Sequence, residues 1–188
     1  LKKVNNKEKN TYIVNDFANS ENIIKGLSFK LTKDQINAYK EIKEDIASNQ
    51  KMYRLLQGDV GSGKTIISLL IIADFVKAGY QCVVMVPTEI LAKQHLKYFK
   101  EFLDPFKINI EILTSKTKHK QKIYDDISKS NIDVLIGTHS VYNQSISFKK
   151  LGLVVIDEQH KFGVKQRVNI IEKSLRCHTL IMSATPIP

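Results

Sequence analysis

Cysteine is scarce in this chain, and so is arginine. There are two cysteines in 188 residues, Cys82 and Cys177, and no Cys-x-x-Cys pair. That excludes a disulfide framework and a thiolate metal cluster, and leaves two reduced, structural thiols of the kind a cytoplasmic protein carries. Of 29 basic residues only three, Arg54, Arg167 and Arg176, are arginine. Long apolar runs are also missing. The longest, residues 66–73, is interrupted by Ser68 and falls far short of the roughly 20 residues that cross a membrane. The N-terminus is rich in Lys and Asn and has no apolar h-region, so it does not read as a secretory signal. His95, His119, His139 and His178 lack metal-ligand spacing and receive no catalytic role.

What the chain has in excess is positive charge, a net +10. A polyanionic partner such as nucleic acid accounts for that. A coding bias towards Lys, Asn and Ile accounts for it equally, and charge alone does not choose. With 43% hydrophobic and 26% charged residues, the length suits one compact domain with its own core.

Residues 1–30 are polar and irregular, with short apolar clusters at 12–14 and 23–24, and read as a linker or the end of a preceding domain. The domain itself is read as 31–188. Thr32 suits an N-cap, and Ile36, Tyr39, Ile42 and Ile46 follow at helical spacing, which predicts a helix over 33–48. Strands are predicted at 53–57, 82–86, 109–113, 134–137, 153–157 and 179–183. Helices are predicted at 64–78, 89–103, 118–128 and 166–174. Strands that are apolar throughout, alternating with helices, imply a parallel sheet covered on both faces.

Gly58-Asp59-Val60-Gly61-Ser62-Gly63-Lys64-Thr65 fits G-x-x-x-x-G-K-[ST] between a predicted strand and a predicted helix. Glycines let backbone N–H groups turn inward onto phosphate oxygens, and the helix start adds its positive end. Lys64 then serves the β- and γ-phosphates, and the Thr65 hydroxyl is a ligand for Mg²⁺. A second signal is the apolar strand that ends in Asp157-Glu158-Gln159-His160. Asp157 suits a Mg²⁺ shell, and Glu158 suits the orientation and deprotonation of water. Adjacent carboxylates at a strand end repel unless a cation neutralises them. His160, directly after the pair, joins the catalytic candidates, and Gln159 is a γ-phosphate sensor candidate.

These residues, in this order, resemble the first RecA-like lobe of superfamily 2 helicases and, within it, the RecG group of bacterial ATP-dependent DNA helicases. The resemblance runs from about residue 31 to 188. It rests on Leu-Thr-Lys-Asp-Gln35, the phosphate loop, Val86-Pro-Thr-Glu-Ile-Leu-Ala-Lys-Gln-His95, Ile136-Gly-Thr-His-Ser140, the Asp-Glu-Gln-His box followed by Phe162-Gly-Val, and Met182-Ser-Ala-Thr-Pro. It implies an α/β RecA-like P-loop NTPase lobe, a mainly parallel β-sheet sandwiched by helices. It implies ATP and Mg²⁺ as cofactors and branched or double-stranded DNA as partner. Gln35, with Thr32, is the implied adenine reader. Pro87, Thr88, Glu89, Thr138 and His139 are the implied grip on the DNA backbone, although threonines there are also ordinary helix caps. Ser183, Ala184 and Thr185, with Gln159, are the implied coupling between hydrolysis and movement. Lys161 departs from the group, which commonly has arginine there; lysine keeps the charge without the bidentate geometry.

Members of the group also carry a wedge domain and a second RecA-like lobe with an arginine finger. No Gln-x-x-Gly-Arg-x-Gly-Arg segment occurs here, so the chain is read as a fragment, monomeric and poorly active alone. A transcription–repair coupling translocase, a P-loop NTPase that never meets DNA, and a non-catalytic DNA-binding module are the competing readings. The lysine-alternating stretch 116–122 is either a DNA track or a solvated helix face.

Overall fold

The computed structural model describes residues 2–3, 12–143, 145–163 and 177–184. Six parallel strands form the sheet: β2 (Tyr53–Gln57), β3 (Gln81–Met85), β4 (Ile110–Leu113), β5 (Val134–Gly137), β6 (Leu151–Asp157) and β7 (His178–Ser183). Their spatial order is β2-β7-β6-β3-β5-β4, and the two-residue β1 (Lys2–Lys3) adds antiparallel to β2. Every residue of β3, β5 and β7 is buried, as continuous apolar runs require when both faces are covered. Alternation divides them. Cys82, Val84, Val134, Ile136, Val155 and Leu180 enter one core; Val83, Met85, Leu135, Val154, Ile156 and Ile181 enter the other.

The first core is covered by α1 (Ala18–Gly26), α2 (Lys33–Ile46), α3 (Lys64–Lys77) and α4 (Glu89–Leu103). The second receives Ile123 and Ile127 of α5 (Lys120–Ser128). Helix α3 is buried at every position from Ile66 to Phe75, which is why its sequence is apolar nearly all round. The expected parallel α/β architecture is therefore present. Boundaries move slightly: α2 stops at Ile46, α5 starts at Lys120 and β6 starts at Leu151. The helix expected at 166–174 lies outside the described residues.

The irregular reading of residues 1–30 needs correction at α1. This helix is held by partners far away in sequence. The Ser20 backbone N–H donates to Asp74 Oδ1 (3.0 Å), the Tyr39 hydroxyl donates to Asp74 Oδ2 (3.2 Å), and the Ser20 and Tyr39 hydroxyls share a short hydrogen bond. Val14 is fully buried, and its N–H donates to Ile46 O (3.0 Å). Residues 12–26 thus pack on the same core as α2 and α3. Burial pushes the Asp74 carboxyl up to about 6, against the hydrogen bonds from Ser20 and Tyr39 that favour its charge.

One buried amide ties three connections together. Gln81 Nε2 donates to Ile127 O and Ile132 O (both 2.9 Å), and Gln81 Oε1 accepts from the N–H groups of Lys149 (3.0 Å) and Lys150 (3.2 Å). All four hydrogen-bonding positions of the amide are used. Cys82 and Cys177 are both buried, and burial pushes the Cys177 thiol up to about 12 and Cys82 well above its ordinary value. Both are therefore unreactive core side chains. Among the described residues no helix is long and apolar enough to cross a membrane.

Candidate nucleotide site

Strand order builds the site. Because β7 lies between β2 and β6, three chain segments leave neighbouring strands at the same edge of the sheet: the glycine loop after β2, Ala184 after β7 and the acidic box after β6. Two backbone bonds lock them together, Gly58 N–H to Ser183 O (3.2 Å) and Glu158 N–H to Met182 O (2.9 Å). This is the carboxyl edge, where open α/β sheets bind ligands.

The loop turns on Gly63, which stands at the N-cap of α3 with φ +82°. The backbone angle requires glycine, and a Cβ there would lie 2.1 Å from Gln35 Nε2 and displace that amide. Lys64 Nζ donates to Gly58 O (2.5 Å) and Asp59 O (2.9 Å), holding the ammonium at the mouth of the loop. Ser62 N–H closes the turn on Asp59 O (3.1 Å). Val60 is 91% exposed at the loop tip. Thr65 lies in the first turn of α3, whose N-terminal N–H groups favour an anion.

On one side of the loop is a cleft of about 560 Å³ lined by Thr32, Gln35, Gly58, Asp59, Ser62, Gly63 and Lys64. Thr32 caps α2 in a reciprocal capping box with Gln35: Gln35 N–H donates to Thr32 Oγ1 (3.2 Å) and Thr32 N–H to Gln35 Oε1 (2.8 Å). Gln35 Nε2 then crosses to donate to Ser62 O (2.8 Å). The two sequence motifs are thus physically joined.

On the other side is a cleft of about 520 Å³ lined by Val60, Gly61, Gly63, Lys64, Thr65, His95, Asp157, Glu158 and Ala184. Glu158 has φ +52°, a left-handed conformation that costs a non-glycine residue roughly 1–2 kcal/mol. Its carboxylate is held from two directions: Ala184 N–H donates to Oε1 (3.1 Å), and His160 Nδ1 lies 3.3 Å from Oε2. Gln159 opens a short 3₁₀ turn, Gln159–Lys161. Asp157 Oδ2 meets His95 Nε2 at 3.1 Å. Sequence reading passed over His95. The available signal was one imidazole inside the otherwise apolar buried stripe Ala92, His95, Phe99, Leu103 of α4.

Pro87, Thr88 and Glu89 join β3 to α4, and Thr138 and His139 follow β5. The two segments run side by side, with Val86 N–H donating to Gly137 O (3.0 Å). Thr88 is exposed and caps α4 through Leu91 N–H (3.2 Å). Thr138 is buried and makes no side-chain cap bond, whereas His139 is exposed. Glu89 accepts from Ser115 Oγ (2.9 Å) and pairs with Lys116 (3.3 Å), which places the start of the lysine-rich stretch beside the start of α4. Thr185 lies outside the described residues.

A family model described as DEAD/DEAH box helicase matches residues 32–188. The chain belongs to the DEAD/DEAH box helicase family. This helicase lobe is 52% identical over 169 residues to the ATP-dependent DNA helicase RecG of Aquifex aeolicus, covering 88% of the chain and 21% of that relative. It is 49% identical over 171 residues to the RecG of Thermotoga maritima, covering 90% and 22%. A solved structure of RecG bound to a three-way DNA junction superposes with a TM-score of 0.82 at 44% identity, over 94% of the helicase lobe and 24% of that chain. The resemblance to the RecG group read from the motifs is borne out. The lobe spans about a fifth to a quarter of the length of these relatives.

Proposed function

We propose that this helicase lobe binds ATP with Mg²⁺ and, within a longer chain, powers a DNA translocase that remodels branched DNA in recombination and repair. The observation that carries the reading is the convergence of Lys64 and Thr65 with Asp157 and Glu158 on one cleft. The amide of Gln35 supports adenine as the base. It has spent one lone pair on Thr32 and one N–H on Ser62, which leaves one acceptor and one donor. That pair matches the N6 donor and N7 acceptor of adenine.

The glycine-loop N–H groups and the α3 terminus take up the phosphates, with Lys64 as the point charge. Thr65 and Asp157 offer the hard oxygen donors that suit Mg²⁺. When bound, that ion neutralises charge on the phosphate oxygens. Glu158, fixed by Ala184 and His160, orients water and accepts its proton. The same Ala184 contact is the route by which Gln159, Ser183, Ala184 and Thr185 would couple phosphate loss to motion. For the DNA backbone we assign Pro87, Thr88, Glu89 and the Thr138–His139 segment, with exposed His139 rather than buried Thr138 as its contacting member.

The partners of this reading are branched or double-stranded DNA and, in the same chain, a wedge domain and a second RecA-like lobe. We place the protein in the cytoplasm as a monomer. The lobe alone should turn over slowly, because a finger arginine contributes about 10³–10⁵ in rate in related enzymes. Arg54 is already bound to Asp45 and Glu41. Steady-state ATPase of the lobe and of the longer protein, with and without a DNA junction, tests the reading. DNA-stimulated turnover only in the longer protein is expected, with nucleotide affinity lost in Lys64→Ala. Turnover by the longer protein that ignores DNA, or nucleotide affinity that survives Lys64→Ala, would refute it.

A further inference from the structure

Helix α4 carries an imidazole where its spacing calls for an apolar side chain. His95 is 6% exposed, with Phe99 edge-on to its ring at 5.6 Å between centroids. Its Nε2 lies 3.1 Å from Asp157 Oδ2. Its Nδ1 is buried and makes no hydrogen bond among the described residues. An orphaned polar atom is a standing cost in a core, so an aliphatic residue would fill this site more cheaply unless the other nitrogen has a task.

The tautomer follows from the same facts. An unmet lone pair is better tolerated than an unmet N–H. The hydrogen therefore sits on Nε2 and is donated to the carboxylate, an assignment made from the network. Asp157 is the last residue of β6, its side chain 14% exposed towards the cleft that holds Thr65 and Lys64. With Oδ2 pinned by α4, Oδ1 is the oxygen left to face a cation.

Resting on the nucleotide-site reading above, we propose that His95 is a positioning residue for the Mg²⁺ site: it fixes Asp157 so that a single carboxylate oxygen is presented to the ion. Mg²⁺ tolerates little departure from octahedral geometry and is typically held by one or two carboxylates together with substrate phosphates. A carboxylate free to rotate would serve it poorly. Hydrogen-bond partners behind metal ligands typically account for about 10–100-fold in metal affinity or activity.

The test is titration of the full-length protein with a fluorescent ADP analogue, in EDTA and across a MgCl₂ series. In His95→Ala the Mg²⁺ concentration for half-maximal enhancement of binding should rise by about 10–100-fold, a shift larger than any change of affinity in EDTA. His95→Gln, whose amide N–H reaches about as far as Nε2, should recover most of that loss. An unaltered Mg²⁺ dependence in His95→Ala overturns the proposal, however far thermal stability falls, because a purely packing role predicts lost stability alone. If His95→Ala does not fold, His95→Asn takes its place, since its amide is too short to reach Asp157. Equal Mg²⁺ dependence in the Asn and Gln variants then overturns the proposal. Lys64→Ala separates the two readings: nucleotide affinity in EDTA that survives it sinks the nucleotide site itself rather than the role of His95.

Discussion

Acid should expose two buried groups that cancel each other in the wild-type lobe. His178, at the start of β7, accepts from Met52 N–H through Nδ1 (3.1 Å) and donates from Nε2 to Tyr12 O (2.7 Å), so it is held neutral. Burial pushes its pKa down to about 4. The unfolded chain takes up this proton near pH 6.5, before the native one does, so stability is lost as pH falls from 6.5 towards 4. At about 1.36 kcal/mol per pH unit, the loss approaches roughly 3 kcal/mol. Asp74 works in the opposite sense. Burial raises it to about 6, so the native state takes up its proton first. That contribution is full below the ordinary carboxylate value and is lost as pH rises through 6, again to roughly 3 kcal/mol. The two should leave urea stability nearly flat between pH 7 and 4.5. Asp74→Asn should uncover the His178 loss of about 2–3 kcal/mol over that interval. His178→Gln should uncover a gain on acidification. Urea unfolding of the three proteins across this range is the assay. An Asp74→Asn profile parallel to wild type would refute the reasoning.

Three further changes have defined outcomes. Gly63→Ala forces a Cβ to within 2.1 Å of the Gln35 amide at φ +82°; with a strain of about 1–2 kcal/mol, nucleotide affinity measured by titration should fall about tenfold. Arg54→Met leaves Asp45, which is 7% exposed, without the guanidinium it pairs with; thermal or urea unfolding should show a loss of about 3–5 kcal/mol. Glu158→Gln keeps an acceptor for Ala184 N–H and removes the base, so nucleotide binding should persist. ATPase of the longer protein should drop by about 10²–10⁴.

The glycine loop and the acidic box were legible as motifs because each is written in consecutive residues. The strands were legible because burial on both faces demands unbroken apolar runs, as in Gln81–Met85 and its neighbours. The Thr32–Gln35 capping box was also a local signal, but the crossing of Gln35 to Ser62 was not. What stayed hidden depends on partners distant in sequence. Helix α1 is a short, weakly patterned segment whose Ser20 is held by Asp74, 54 residues away. His95 looked like a stray histidine because Asp157 lies 62 residues beyond it. Gln81 looked like a polar start to a strand because its four backbone partners lie in two distant stretches, 127–132 and 149–150.

The insertion of β7 between β2 and β6 also bears on how the chain must fold. Met52, just before β2, donates to His178, 126 residues later, and β2 and β6 are joined in the sheet through β7. Pairings of such separation carry a large loop-closure cost and slow folding. The glycine loop and the acidic box therefore both precede, in chain order, the strand that joins them. On the reading proposed above, the cleft is incomplete until residues 178–184 pair between β2 and β6.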